Sequence, residues 1–127
     1  MILATGIDII EIKRFASWHI YSPKKLSRIF SPQEIEYCLE NTHKSTERFA
    51  VRFAAREALY KALCAAFPDN KLPFLTLCAH TTIQKVNSVP VMQLSRECGI
   101  DVSQYIIHLS LSHSGAQAVA FVIIEDK

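Results

Sequence analysis

The chain has 127 residues, half of them apolar, with fourteen Lys and Arg against twelve Asp and Glu. That length suits one domain spanning 1–127, able to bury a core without metal or disulfide staples, and the apolar share argues against disorder. A net charge of +2 is too mild for a nucleic-acid binder, and no apolar run approaches the roughly 20 residues that cross a membrane.

Residues 2–10 read as a strand, apolar and β-branched and interrupted only by Gly6 and Asp8. Alternation puts Ile7 and Ile9 on one face and Asp8 and Ile10 on the other. A helix is expected to follow through Trp18. This region is locally basic, carrying Lys13, Arg14, Lys24, Lys25 and Arg28, a surface that is either merely solvated or steers an acidic partner. Ser31-Pro32-Gln33-Glu34 predicts a helix start, with Ser31 as cap, Pro32 at the first position and Glu34 completing a capping box, and the helix runs to about Glu40. After a polar loop over 41–46, a main helix spans about 46–67. It lacks Gly and Pro, is rich in good helix formers, and ends at Pro68-Asp69-Asn70.

Three stripes run along that helix at steps of four: Phe49 and Phe53 leading to Glu57 and Lys61; Arg48, Arg52 and Arg56; and Ala50, Ala54, Ala58 and Ala62. The alanines permit very close packing, so the helix is expected to be central. Residues 80–87 and 89–94 predict short strands broken at Asn87-Ser88. A short helix over 92–98 should stop at Gly99. The last segment is a hairpin: 105–112, a turn around His113-Ser114-Gly115, then 116–125. The fold class is α+β, an antiparallel sheet packed on one long helix. Cys38, Cys64, Cys78 and Cys98 form no C-x-x-C pair and read as reduced thiols, and the N-terminus has no signal-peptide pattern, which together predict a cytoplasmic protein.

Three constellations could carry chemistry. Asp8 stands in an otherwise apolar strand, where a carboxylate needs a cation, whether a salt-bridging arginine or a metal. Glu57 and Lys61 could be a plain helix ion pair, yet they continue a row begun by two phenylalanines and so should be half-buried. His108, Ser110, Ser112 and Ser114 share one strand face and offer hydroxyl donors to a phosphate-rich ligand, or else simply face solvent. Two carboxylates on separate elements suit Mg²⁺, which takes one or two protein oxygens and completes its shell with water and phosphate. Lys and Arg supply charge to phosphates. The reaction class is phosphoryl transfer. There is no G-x-x-x-x-G-K-[ST] or G-x-G-x-x-G loop and no H-E-x-x-H.

Gly6-Ile7-Asp8-Ile9, Arg52-Phe53-Ala54-Ala55-Arg56-Glu57-Ala58 followed by Lys61, and His108-Leu109-Ser110-Leu111-Ser112-His113-Ser114 resemble, in order and over nearly the whole chain, the holo-acyl-carrier-protein synthases, which are short single-domain phosphopantetheinyl transferases. The resemblance implies transfer of 4′-phosphopantetheine from coenzyme A to a serine of apo acyl carrier protein, with adenosine 3′,5′-bisphosphate released, in support of fatty acid biosynthesis. It implies Mg²⁺ held by Asp8 and Glu57, and Glu57 and Lys61 as catalytic residues. Coenzyme contacts are expected from Arg52, Arg56, Lys61, His108, Ser112, His113 and Ser114. A homotrimer with active sites between subunits is implied, with Arg14 meeting the acidic carrier protein. The base is either Glu57 acting through a water or a carboxylate of the carrier. Two departures stand out. Arg56 replaces the lysine usual before the metal-binding glutamate, and Asn87-Ser88-Val89-Pro90 keeps only the proline of a Gly-Lys-Pro-like turn. Competing readings are a phosphoesterase built on His108-x-Ser110, which has only one such strand where two are needed, and a non-catalytic trimeric domain that binds coenzyme A or a carrier protein.

Overall fold

A computed structural model describes residues 1–127. The first strand, β1 (Ile2–Glu11), alternates as expected: Ala4 and Ile10 are buried, whereas Ile7 and Ile9 are 59% and 60% exposed. The helix expected through Trp18 is instead two 3-10 turns, Ile12–Phe15 and Trp18–Ile20. Aromatic packing overrides helix propensity here. Phe15 lies 4.5 Å from Trp18, and the Trp18 ring also meets Tyr21, Phe30, Phe49 and Phe53. One further helical turn, α1 (Pro23–Leu26), was not expected. The next helix, α2 (Pro32–Glu40), starts with the capping box and Pro at its first turn, as read from sequence.

The long helix α3 (Ser45–Ala66) is central. Ala50, Ala54, Ala58 and Ala62 are wholly buried beneath the main sheet. A Cβ added at Gly6 would sit 1.9 Å from the Ala58 carbonyl oxygen and 2.9 Å from the Ala62 amide nitrogen. Gly6 therefore lets β1 lie directly on α3, and no side chain fits between them. A short helix, α4 (Phe74–Ala79), leads into β2 (Thr81–Val86) and β3 (Val89–Leu94), which form a separate antiparallel pair. Asn87 and Ser88 join them with φ of 50° and 66°, the positive angles that a two-residue hairpin turn requires. Strand β3 claims Met92–Leu94, so the helix expected over 92–98 shrinks to a 3-10 turn at Arg96–Cys98. Gly99 ends it at φ 94°, as expected.

The terminal hairpin, β4 (Tyr105–His113) and β5 (Gln117–Asp126), forms as read. The main sheet is antiparallel in the order β1-β5-β4, which makes β1 and β4 its two edges. Its inner face packs Ala118, Ala120, Val122 and Ile124 against the helix side. No helix is long and apolar enough to cross a membrane.

Candidate active site

Asp8 and Glu57 are brought together on the β1 flank of α3. Asp8 shares the inward face of β1 with Gly6, two residues earlier, so the close approach at Gly6 presses its carboxylate against the helix. Lys61 Nζ donates to Asp8 Oδ1 at 3.0 Å and to the Ile7 carbonyl at 2.9 Å. Asp8 thus has a salt-bridge partner, but it is Lys61 rather than a core-facing arginine. The plain Glu57–Lys61 helix pair does not form, and Glu57 has no ion-pair partner of its own. Burial pushes the Glu57 carboxyl above its usual range, and the neighbouring Asp8 carboxylate pushes it further, while Lys61 and Arg14 pull the other way. Arg14, exposed on the first 3-10 turn, therefore stands at the rim of the same site.

These residues fit a divalent cation. Two carboxylates repel each other in a partly desolvated place, one of them has no ion-pair partner, and the ammonium that serves the other is half-exposed. No cluster of three or more His, Cys, Asp or Glu side chains could hold a metal, so such an ion would rely on water and substrate oxygens for the rest of its shell, as Mg²⁺ does.

The arginine row has a different fate at each turn. Arg56 is 0% exposed, and its guanidinium donates to Glu34 Oε2 at 2.9 Å, to Glu34 Oε1 at 2.6 Å and to the Thr81 carbonyl at 2.9 Å. Its fork is thus filled by a buried carboxylate that ties α2, α3 and β2 together. Arg52 is nearly as buried, and its Nε, like that of Arg56, has no hydrogen-bond partner, with Glu34 Oε2 at 3.8 Å. Arg48 bonds the Tyr37 carbonyl at 2.7 Å and Glu40 at 3.2 Å.

Arg52 lines a cleft of about 360 Å³ together with Arg48, Lys44, Lys85 and His113. This cleft lies at the β4 edge, roofed by Ser88 and Pro90 of the β2–β3 hairpin. Five basic side chains face one acid, Glu47, whose carboxylate lies 3.2 Å from His113 Nε2. The altered 87–90 turn carries no lysine, but Lys85, three residues ahead of Ser88 on β2, stands in the same cleft. Sequence reasoning passed over Lys44, Arg48, Lys85 and Tyr37 as lining of this cleft because none lies in a motif.

The hydroxyl row lies where strand alternation puts it. His108, Ser110 and Ser112 are exposed on the outer sheet face, with His108 Nε2 2.7 Å from Glu125 Oε2. Ser114 Oγ accepts from the Ala116 and Gln117 amides at 3.3 and 3.2 Å, so it supports the turn.

The two charged zones do not meet within one chain. Arg52 and Lys61 are nine residues apart on α3, which at about 100° per residue puts them on opposite sides of the helix. Asp8 and His113 stand on opposite edge strands.

Comparison with known proteins bears on this geometry. A family model described as the 4′-phosphopantetheinyl transferase superfamily matches residues 4–120. The chain is 35% identical to the holo-[acyl-carrier-protein] synthase of Treponema denticola, over 98% of this chain and 99% of that one. It is 37% identical to the synthase of Koribacter versatilis, over 99% and 100%. Among solved structures it resembles a holo-(acyl-carrier-protein) synthase from Bacillus anthracis in complex with CoA (3′,5′-ADP), with a TM-score of 0.76 and 29% identity over 100% and 99% of the chains. The Helicobacter pylori synthase in complex with coenzyme A gives 0.72 and 31%, over 95% and 99%.

Proposed function

The chain belongs to the 4′-phosphopantetheinyl transferase superfamily, as a holo-[acyl-carrier-protein] synthase, and from this premise we propose a Mg²⁺-dependent cytoplasmic enzyme, assembled as a homotrimer, that transfers 4′-phosphopantetheine from coenzyme A to a serine of apo acyl carrier protein and so supports fatty acid biosynthesis. The observation that carries this reading is the pairing of Asp8 with Glu57, two mutually repelling carboxylates with Lys61 bound to the first. Asp8 and Glu57 would hold Mg²⁺, which neutralises charge on the coenzyme's pyrophosphate when bound.

The residues of the chain supply the rest. Lys61 leaves Asp8 and places its ammonium on the phosphate that becomes the leaving group. The carrier's serine oxygen attacks the phosphorus that bears pantetheine, the bond to the bridging oxygen breaks, and adenosine 3′,5′-bisphosphate departs. Glu57 accepts the serine proton through a water. Arg14 at the rim meets the acidic carrier. The free state of all four cysteines agrees with a reducing compartment.

The opposed zones support a site made between subunits. Arg52, buried and lacking a hydrogen bond, opens with Lys85 and His113 on a cleft suited to a phosphate, and coenzyme A carries a 3′-phosphate on the same ribose whose 5′ oxygen bears its pyrophosphate. In this reading the β1 edge of one copy adjoins the β4 edge of the next, so that one coenzyme meets both zones. A head-to-tail contact of that kind gives a ring when its rotation closes. The outer sheet face is apolar on its β1 and β5 side, with Ile7, Ile9 and Phe121 exposed, the signature of a covered surface. His108 and Ser112 lie on this face and so face the neighbouring subunit.

Mass analysis of apo acyl carrier protein incubated with the enzyme, coenzyme A and Mg²⁺ tests the reaction. A phosphopantetheine mass gain that disappears with EDTA is expected. Coenzyme A binding with no mass gain would leave a binding module instead.

A further inference from the structure

Tyr37 belongs to none of the motifs, yet three cations converge on it. Its ring centroid lies 3.9 Å from the Arg48 guanidinium carbon, 4.4 Å from that of Arg52 and 5.1 Å from Lys85 Nζ. Lys85 Nζ also donates to the Tyr37 hydroxyl at 2.9 Å, and Arg48 donates to the Tyr37 carbonyl. The hydroxyl is held below its usual range, first by the Lys85 hydrogen bond, with Arg48, Lys85 and Arg52 adding charge. The cations come from two elements, α3 and β2, and left alone they would repel one another and spread into solvent. An aromatic face attracts each of them and ties them to one point.

Tyr37 reaches that point because α2 is pinned upstream. Glu34, one turn earlier on the same helix face, caps α2, accepts both Arg56 bonds and accepts the Ile83 amide. That carboxylate fixes the rotation of α2, and the rotation aims Tyr37 at the cleft it lines.

We propose that Tyr37 is a positioning residue for phosphate recognition: it gathers Arg48, Arg52 and Lys85 on the cleft and thereby sets the preference for coenzyme A over the analogue lacking the ribose 3′-phosphate. This rests on the reading of the cleft as a coenzyme phosphate subsite. The ring orders the two arginines and the hydroxyl orders Lys85, so the two parts of the side chain contribute separately.

The test is steady-state kinetics of the full-length enzyme with coenzyme A and with 3′-dephospho-coenzyme A, read as the ratio of their kcat/KM values. Melting temperatures identify any variant that fails to fold. Tyr37→Leu should lower the ratio about tenfold, the effect of losing cation–π support at a partly desolvated site. Tyr37→Phe, which keeps the ring, should lower it less. Arg52→Gln and Lys85→Gln serve as references, since they touch the cleft directly. If they lower the ratio while Tyr37→Leu and Tyr37→Phe leave it at the wild-type value, the role of Tyr37 is overturned and the cleft stands. If Tyr37→Leu does not fold, an unchanged ratio in Tyr37→Phe beside a lowered one in Lys85→Gln overturns it equally. If no variant moves the ratio, the phosphate subsite itself is wrong and the inference falls with it.

Discussion

Replacing Glu34 by Ala would strand the Arg56 guanidinium. Arg56 is wholly buried and the Glu34 side chain is only 1% exposed, so water cannot reach in to replace the two short hydrogen bonds. Breaking a buried pair by removing one partner costs about 3–5 kcal/mol, a fifth or more of a typical stability of about 5–15 kcal/mol. The same change deletes the capping-box acid of α2 and an acceptor for the Ile83 amide, which places the expected loss near the top of that range. A domain of this size should then melt about 10–20 °C lower. Urea unfolding and thermal melting at matched protomer concentration measure it. Replacing both partners, Glu34→Leu with Arg56→Met, should recover most of the loss, because no charge remains buried without a partner. A cost under about 1 kcal/mol for Glu34→Ala would refute the structural role given to the pair. So would an Arg56→Met variant with unchanged melting and a weakened affinity for coenzyme A, since that is the signature of a ligand contact.

Three further outcomes follow. Gly6→Ala should destabilise by about 1–3 kcal/mol or more, since its Cβ meets backbone that cannot yield; melting curves check this, and a neutral effect would show that α3 is not held against β1. Glu57→Gln should raise the stability of the metal-free protein at neutral pH. The Glu57 carboxyl is raised by burial and by Asp8, so its ionisation costs the fold stability as pH rises from the ordinary glutamate value through the raised one. The advantage of Gln should therefore be absent in acid, where the wild type is protonated, and complete above the raised value; melting in EDTA across pH reads it, and a pH-independent difference would contradict it. Ile7→Glu with Ile9→Glu changes side chains already exposed in the lone chain, so the protomer should stay folded while sedimentation shows it dissociated and inactive; an intact trimer would remove the outer sheet face from the interface.

Much of the fold could be read before the structure because local signals agreed with the final packing. The capping box at Ser31 and Glu34, the uninterrupted α3, the Asn87-Ser88 turn and the terminal hairpin all formed where pattern placed them. The failures came where packing outweighed propensity. Phe15 and Trp18 took 3-10 turns to reach the aromatic cluster, and α1 and α4 are too short for periodicity to declare. In the site, alternation correctly aimed Asp8 inward, and the alanine stripe foretold a close neighbour. The spacing of Arg48, Arg52 and Arg56 gave their shared face but not their order of burial. That order is set by Glu34, which arrives from another helix. Tyr37 and Lys85 were invisible for the same reason, since they meet the arginines only through tertiary structure.

The central claim is that one active site combines the Asp8–Glu57 flank of one subunit with the Arg52 cleft of its neighbour, and subunit mixing tests it most directly. Glu57→Gln and Arg52→Gln variants, each impaired alone, are unfolded, mixed in equal amounts and refolded together, and transfer to acyl carrier protein is measured. With each site drawing its halves from adjoining copies, about one quarter of the sites in random rings regain both native residues, so the mixture should recover about that share of wild-type activity. If each site lies within one chain, no site is restored, and a mixture no more active than the average of its two components would contradict the account.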